Sequence, residues 1–246
     1  MNNYALLVLA ALACASYAKK FPDGWIACKM DDPKHNECMR GAIQRTLPDL
    51  VKGMPQFGIK TIDPLTFKQI VIKQGNGPIS LDLTLDDFDI LGIHTGNVDR
   101  VLNNKWKSFV ANVSVPKLTA TAKHYKMDGK MLVLPIKGEG KAKMVLDDFK
   151  AGFLVDVGEE TKGGKTYYKM TKMHIDLDCS KFSQDYENLF DGNKQLADQM
   201  KIFLSENHKE VFRELAPALG EALSAGLLEL GNRLFSKIPK DEITPK

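Results

Sequence analysis

The chain has 246 residues, of which 26% are charged and 43% apolar, proportions that suit a soluble globular protein of one large or two small domains. Its net charge is only +3 and its basic residues are spread without a polybasic run. That balance argues against nucleic acid or an anionic membrane surface as a partner.

The chain opens MNNYALLVLAALACASYA, apolar from Tyr4 to Ala15 and then small at Ser16 and Ala18. This pattern predicts a secretory signal over residues 1–18 and one mature domain over 19–246. The apolar run falls short of the roughly 20 residues a membrane span needs, and no later run is longer. A secreted, extracellular protein without integral membrane association is expected.

Secretion decides how the cysteines are read. Cys14 leaves with the signal, and Cys28, Cys38 and Cys179 remain. Cys28 and Cys38 enclose KMDDPKHNE, a short polar loop of the kind a disulfide closes in an oxidising compartment, worth about 2–3 kcal/mol in the chain-entropy picture. Cys179 is left over, either as a buried free thiol or as one half of an intermolecular bridge.

Met39, Ala42, Ile43, Leu47, Leu50 and Val51 then recur at helical spacing, predicting an amphipathic helix from near Glu37 to a stop at Gly53 and Pro55. From Leu65 to about Asp178 the period becomes two. Ile79, Leu81, Leu83 and Leu85 alternate with polar residues, as do Phe109, Ala111, Val113 and Val115, and later Leu132, Leu134 and Ile136. Asp128-Gly129, Gly138-Glu139-Gly140 and Gly163-Gly164 are expected as hairpin turns between them. The pattern is a long antiparallel meander with one apolar face.

Residues 194–235 return to steps of three and four, with Leu196, Met200, Phe203, Val211, Leu215, Leu219, Leu223, Leu227, Leu230 and Leu234 in one stripe. As one helix this segment would run roughly 60 Å, kinked at Pro217. The alternative is two helices broken near Ala216 and Pro217. In either form it needs a long partner, and the meander can wrap it.

Catalytic patterns are missing from the sequence. The five histidines stand at no metal-ligand spacing from one another, and neither a nucleophile elbow nor a phosphate-binding glycine loop occurs. The carboxylate pairs Asp31-Asp32, Asp86-Asp87, Asp147-Asp148 and Glu159-Glu160 are expected at turns or strand ends, solvated. Asn112-Val113-Ser114 is a glycosylation sequon with Asn112 on the polar face of a strand. The chain therefore reads as a binding protein, not an enzyme, needing no cofactor and no metal.

Four stretches in order, CKMDDPKHNEC, GIKTIDPL, HYKMDGKMLVLPIKGEG and NLFDGNKQLADQMKIFLSENHKEVFREL, resemble the insect takeout and juvenile hormone-binding protein family over nearly the whole mature chain. The resemblance implies an α+β tubular lipid-binding fold: a long C-terminal helix wrapped by a strongly curved antiparallel sheet, with an internal hydrophobic tunnel. It also places the family's N-terminal disulfide on Cys28 and Cys38. It implies a secreted carrier, in haemolymph or another extracellular fluid, for a juvenile hormone-like terpenoid or another long apolar molecule. No cysteine follows Cys179, which matches the takeout branch, where a single bridge is usual. The ending Pro239-Lys240-Asp241-Glu242-Ile243-Thr244-Pro245 departs from that branch's PYDELFP-like close.

On this reading the tunnel wall is expected to include Leu81, Leu83, Phe109, Val113, Leu132, Leu134, Ile136, Phe153 and Val155 from the sheet, with Phe203, Leu215 and Leu219 from the helical segment. Tyr125, Tyr167 and Tyr168 are the candidate polar contacts. Each buried ligand methylene would contribute about 0.8 kcal/mol, so no charged anchor is required. The expected form is a monomer that takes a small hydrophobic ligand, with a cell-surface or haemolymph protein as a candidate second partner. Two other classes fit the same pattern less well: a secreted interaction or signalling module with a solid interior, and a lipid-modifying enzyme.

Overall fold

The computed structural model describes residues 21–74, 79–131 and 134–245, so the leader read over residues 1–18 lies outside the described residues. Two strands set the architecture. β4 (Ser108–Met131) and β5 (Leu134–Lys162) pair antiparallel over almost their full lengths. Laid straight at about 3.3 Å per residue, β5 would reach roughly 95 Å, far beyond one small core.

Both strands exchange their outer neighbours midway. β2 (Ile79–Leu91) pairs with β4 from Met131 to Thr119, and β3 (Asn97–Asn104) takes over from Ser114 to Ser108. Likewise β7 (Lys181–Tyr186) pairs with β5 over Ala142–Asp147, and β6 (Lys165–Asp178) over Lys150–Lys162. Pro116 falls in the gap between β2 and β3, where its missing N–H costs least. Across from it, between the pairs Lys117–Asp147 and Val115–Phe149, Asp148 turns to φ 48°. The sheet therefore has two halves joined along this line.

Of the carboxylate pairs expected at turns or strand ends, Asp31-Asp32 falls at a turn, and the other three are found inside strands. Asp86-Asp87 lies in β2, while Asp147-Asp148 and Glu159-Glu160 lie in β5. Asp87 also has positive φ, 46°, and aspartate tolerates that region better than most residues. Of the expected hairpin turns, Gly163-Gly164 joins β5 to β6 with φ of 55° and 75°. Asp128-Gly129 and Gly138–Gly140 are interior to β4 and β5 instead. Gly138 is small because of close packing: a Cβ there would stand 2.5 Å from the Tyr125 hydroxyl.

The remaining edge strand is β1 (Leu65–Gln74), giving the order β1-β2-β4-β5-β6. The helices are α1 (His35–Lys52), α2 (Lys194–Glu206), α3 (His208–Phe235) and α4 (Lys240–Ile243). The C-terminal segment is thus two helices, and the break is at Asn207, not near Pro217. Asn207 has φ −111° and ψ 21°, and its side-chain amide donates to the Phe203 carbonyl at 2.9 Å. An asparagine able to bond the backbone itself competes with the helix ladder. Pro217 stays within α3 on its exposed side, where water can meet the carbonyl its ring leaves unpaired.

α3 packs against both edge strands, β6 and β1, and so closes the open side of the curled sheet. Gly220 permits the approach: a Cβ there would lie 2.3 Å from the Ile175 carbonyl oxygen on β6. Further along, Asn232 accepts from the Met170 N–H at 2.8 Å and donates to the Met170 carbonyl at 2.9 Å. One side-chain amide thereby takes the place of a neighbouring strand, satisfying two backbone groups of the edge.

The interior divides as the sheet does. Leu81, Leu83, Leu85, Ile136, Phe182, Phe212 and Leu215 belong to one contiguous cluster with β1, β2 and the first half of α3. Cys179 is buried in it as a free thiol, which burial and the nearby Asp178 and Asp147 carboxylates push up to about 11. A second cluster lies under β3 and β6, and a third gathers residues 54–62 with the C-terminal turn.

Two outcomes follow for stability. Gly220→Ala should destabilise by about 1–3 kcal/mol in denaturant titration, because the clash with Ile175 outweighs the roughly 1 kcal/mol that alanine gains in a helix. Asp63 accepts from the Gly92 and His94 amides, each at 2.9 Å, and pairs with the His94 ring. Burial alone would raise its pKa, but these donors outweigh it and hold the carboxyl below its ordinary 3.8. A depressed folded-state pKa stabilises fully above the ordinary value and is lost as pH falls through the lower one. The Tm gap between wild type and Asp63→Asn should therefore be constant near neutrality and shrink below about pH 4.

Candidate functional site

An apolar cavity of about 350 Å³ lies where the second and third clusters meet. That volume falls within the range of small-molecule sites. Phe109, Ala111 and Val113 of β4, Phe153 and Val155 of β5, and Met170 and Met173 of β6 form its sheet wall. Met39, Ala42, Ile43 and Leu50 of α1 lie opposite, with Leu227, Leu230, Leu234 and Phe235 from the last turns of α3. Phe21, Trp25, Ile26, Ile238 and Ile243 complete it from the two chain ends.

The α1 wall is pinned covalently and by polar ties. Cys28 and Cys38 form a disulfide with Cα atoms 5.8 Å apart, and Cys28 itself lines the cavity. His35 sits between the Lys29 carbonyl, 2.7 Å from Nδ1, and the Asn103 amide nitrogen, 2.7 Å from Nε2. The Asn103 amide can only donate there, so Nδ1 carries the proton and donates to Lys29. The chain ends are tied to one another as well: the Phe21 N–H donates to Glu242 at 2.7 Å, and the Cys28 N–H to the Ile243 carbonyl at 3.3 Å.

Three side-chain donors occur among the described lining residues. Thr46 donates to the Ile43 carbonyl at 2.7 Å, and the Trp25 indole to Asp49 at 2.8 Å. The Trp106 indole N–H is shielded from solvent and has no acceptor among the described residues. Leaving such a donor unpaired costs about 1–3 kcal/mol. Trp106 also has φ 56°, and its neighbour Lys105 φ 47°. For an aromatic residue this left-handed conformation costs about 1–3 kcal/mol and needs support from its surroundings. The Asn103 side chain gives that support by accepting from the Trp106 N–H of the backbone at 2.8 Å. The Tyr168 ring stacks on the indole with centroids 4.4 Å apart, and the Tyr168 hydroxyl meets that of Thr244 at 3.0 Å.

Of the wall residues expected from sequence, Phe109, Val113, Phe153 and Val155 line this cavity. Leu81, Leu83, Ile136 and Leu215 are buried in the first cluster, with Phe203 and Leu219 packed against it. Leu134 is 48% exposed at the start of β5, outside all three clusters, and Leu132 lies outside the described residues. Tyr125 is fully buried in the first cluster and donates to the Glu187 carbonyl at 2.8 Å. Burial, then the Glu187 and Glu139 carboxylates, pushes its hydroxyl up to about 12, so it remains a donor at physiological pH. Tyr167 is buried beside Pro239, and Tyr168 backs Trp106. Asn112 is exposed on the outer sheet face between Arg100 and Gly152.

Sequence reasoning missed Trp106, Met170 and Met173, and left the α1 stripe out of the wall. The α1 periodicity was visible, but nothing in it told which half of the barrel that helix would cover. A lone tryptophan between two lysines looks like a loop residue until its φ is known.

These features agree with known proteins. The haemolymph juvenile hormone binding protein family matches residues 6–245. The circadian clock-controlled protein daywake of Drosophila melanogaster is 23% identical over 249 residues, covering 97% of this chain and 94% of that protein. A Schistocerca gregaria protein provisionally named for β-carotene binding is 24% identical, covering 87% of this chain and 85% of that protein. The crystal structure of Epiphyas postvittana Takeout 1 superposes with a TM-score of 0.78 at 27% identity, covering 89% of this chain and 99% of that one. With its curled sheet, its long C-terminal helix and its Cys28–Cys38 bridge, this chain belongs to the takeout and juvenile hormone binding protein family.

Proposed function

We propose that this protein is an extracellular carrier that holds one elongated hydrophobic molecule in the cavity between α1, α3 and the β3–β6 half of the sheet. A leader over residues 1–18 directs its secretion, and residues 19–246 act as one unit. The cavity carries the reading: about 350 Å³ of space is framed almost wholly by aliphatic, aromatic and methionine side chains. Burying apolar ligand surface there contributes about 25 cal/mol per Å², enough to hold a molecule without a charged anchor. Membership of a hydrophobic-ligand family, and a relative provisionally named for β-carotene binding, support the same class of cargo. No described helix is long and apolar enough to cross a membrane, and a disulfide suits an oxidising compartment. Binding alone accounts for the apolar lining of the site.

Native mass spectrometry of protein secreted from insect cells should show an adduct of lipid mass, and a fluorescent apolar probe should be taken up by stripped protein. Ala111→Phe projects a ring into the cavity from β4. It should weaken probe binding at least about tenfold while leaving Tm unchanged or raised, since it fills space instead of displacing packed atoms. Full probe uptake by Ala111→Phe would move the binding site elsewhere.

A further inference from the structure

The unpaired Trp106 donor has a chemical consequence for the cargo. The other two side-chain donors of the wall are already committed, Thr46 to a carbonyl of its own helix and Trp25 to Asp49. Among the described lining residues, Trp106 alone keeps a side-chain N–H without an acceptor, on a residue that is only 8% exposed and lines the cavity. It is held there at a cost in backbone conformation, by Asn103 on one side and the stacked Tyr168 on the other. Structures keep such strained, unsatisfied groups where something else completes them. Met39 and Met170 belong to the same buried cluster, and methionine side chains of this flexibility can shift to admit a ligand atom.

We infer that the Trp106 indole N–H donates a hydrogen bond to a carbonyl oxygen of the bound molecule, so that the preferred cargo is a long apolar chain bearing an ester or ketone, not a pure hydrocarbon. This rests on the carrier reading and narrows it to a ligand class. The carbonyl would fix the orientation of a molecule that the remaining wall holds without direction.

The test compares tridecane with methyl laurate, molecules of similar length of which only the second carries a carbonyl. Each is used to displace a fluorescent apolar probe from wild type and from Trp106→Phe. The substitution should weaken methyl laurate roughly three- to tenfold, the size of one hydrogen bond, and tridecane less than twofold. The chain has only two tryptophans, so nitrogen-15 spectra carry two indole signals, and Trp25 serves as the control. In wild type the Trp106 indole proton should move downfield with methyl laurate and stay in place with tridecane. Equal loss for both molecules, or an indole signal indifferent to the ester, overturns the inference and leaves the carrier reading standing. Failure of both molecules to displace the probe from wild type takes down both.

Discussion

The structure depends on closing a sheet whose central strands are too long to lie on one core. β4 and β5 can bury an apolar face only by curling, and curling leaves two edges, β1 and β6, facing one another across an open side. α3 fills that gap and touches both. An unpaired edge would expose a row of backbone donors and acceptors and invite pairing with another chain. The approach of α3 at Gly220 and the Asn232 amide clasped to Met170 answer that problem at two points along β6. Pro116 and Asp148 face one another where both long strands change partners.

From this geometry the interior acquires two characters. In one half, strands β1, β2 and β7 hold aliphatic and aromatic side chains against α2 and the start of α3 in one contiguous buried cluster. In the other, α1 and the segments around Phe21 and Ile243 stand opposite the sheet and frame a cavity. The disulfide belongs to the second half, where the wall is a short helix tied to the barrel by a few polar contacts instead of a continuous ladder.

Much of the fold was legible from residue spacing, because period two and period 3.6 follow directly from how strands and helices present alternate faces. α1 appears within two residues of its expected start, and the meander begins at Leu65 as read. Where reading failed, a tertiary contact had overridden local chemistry. Gly138 and Gly140 look like a turn, but they are glycines because Tyr125 and Glu187 press against β5. Pro217 looks like a helix breaker, but an exposed position tolerates it, while the unremarkable Asn207 ends α2. The site was half legible. Alternation identified Phe109, Val113, Phe153 and Val155 as inward-facing, and it gave Leu81, Leu83 and Ile136 the same status, since inward is a property of one strand and hollow a property of several elements together.

The partition of the barrel also bears on how such proteins diversify. The first buried cluster and the candidate cavity stand largely in separate halves, divided by the line through Pro116 and Asp148. Substitutions around the void can alter what fits without removing the packing that keeps the chain folded, so a lineage can change its cargo while its scaffold persists. A structure at 27% identity that still superposes with a TM-score of 0.78 is the expected product of that freedom.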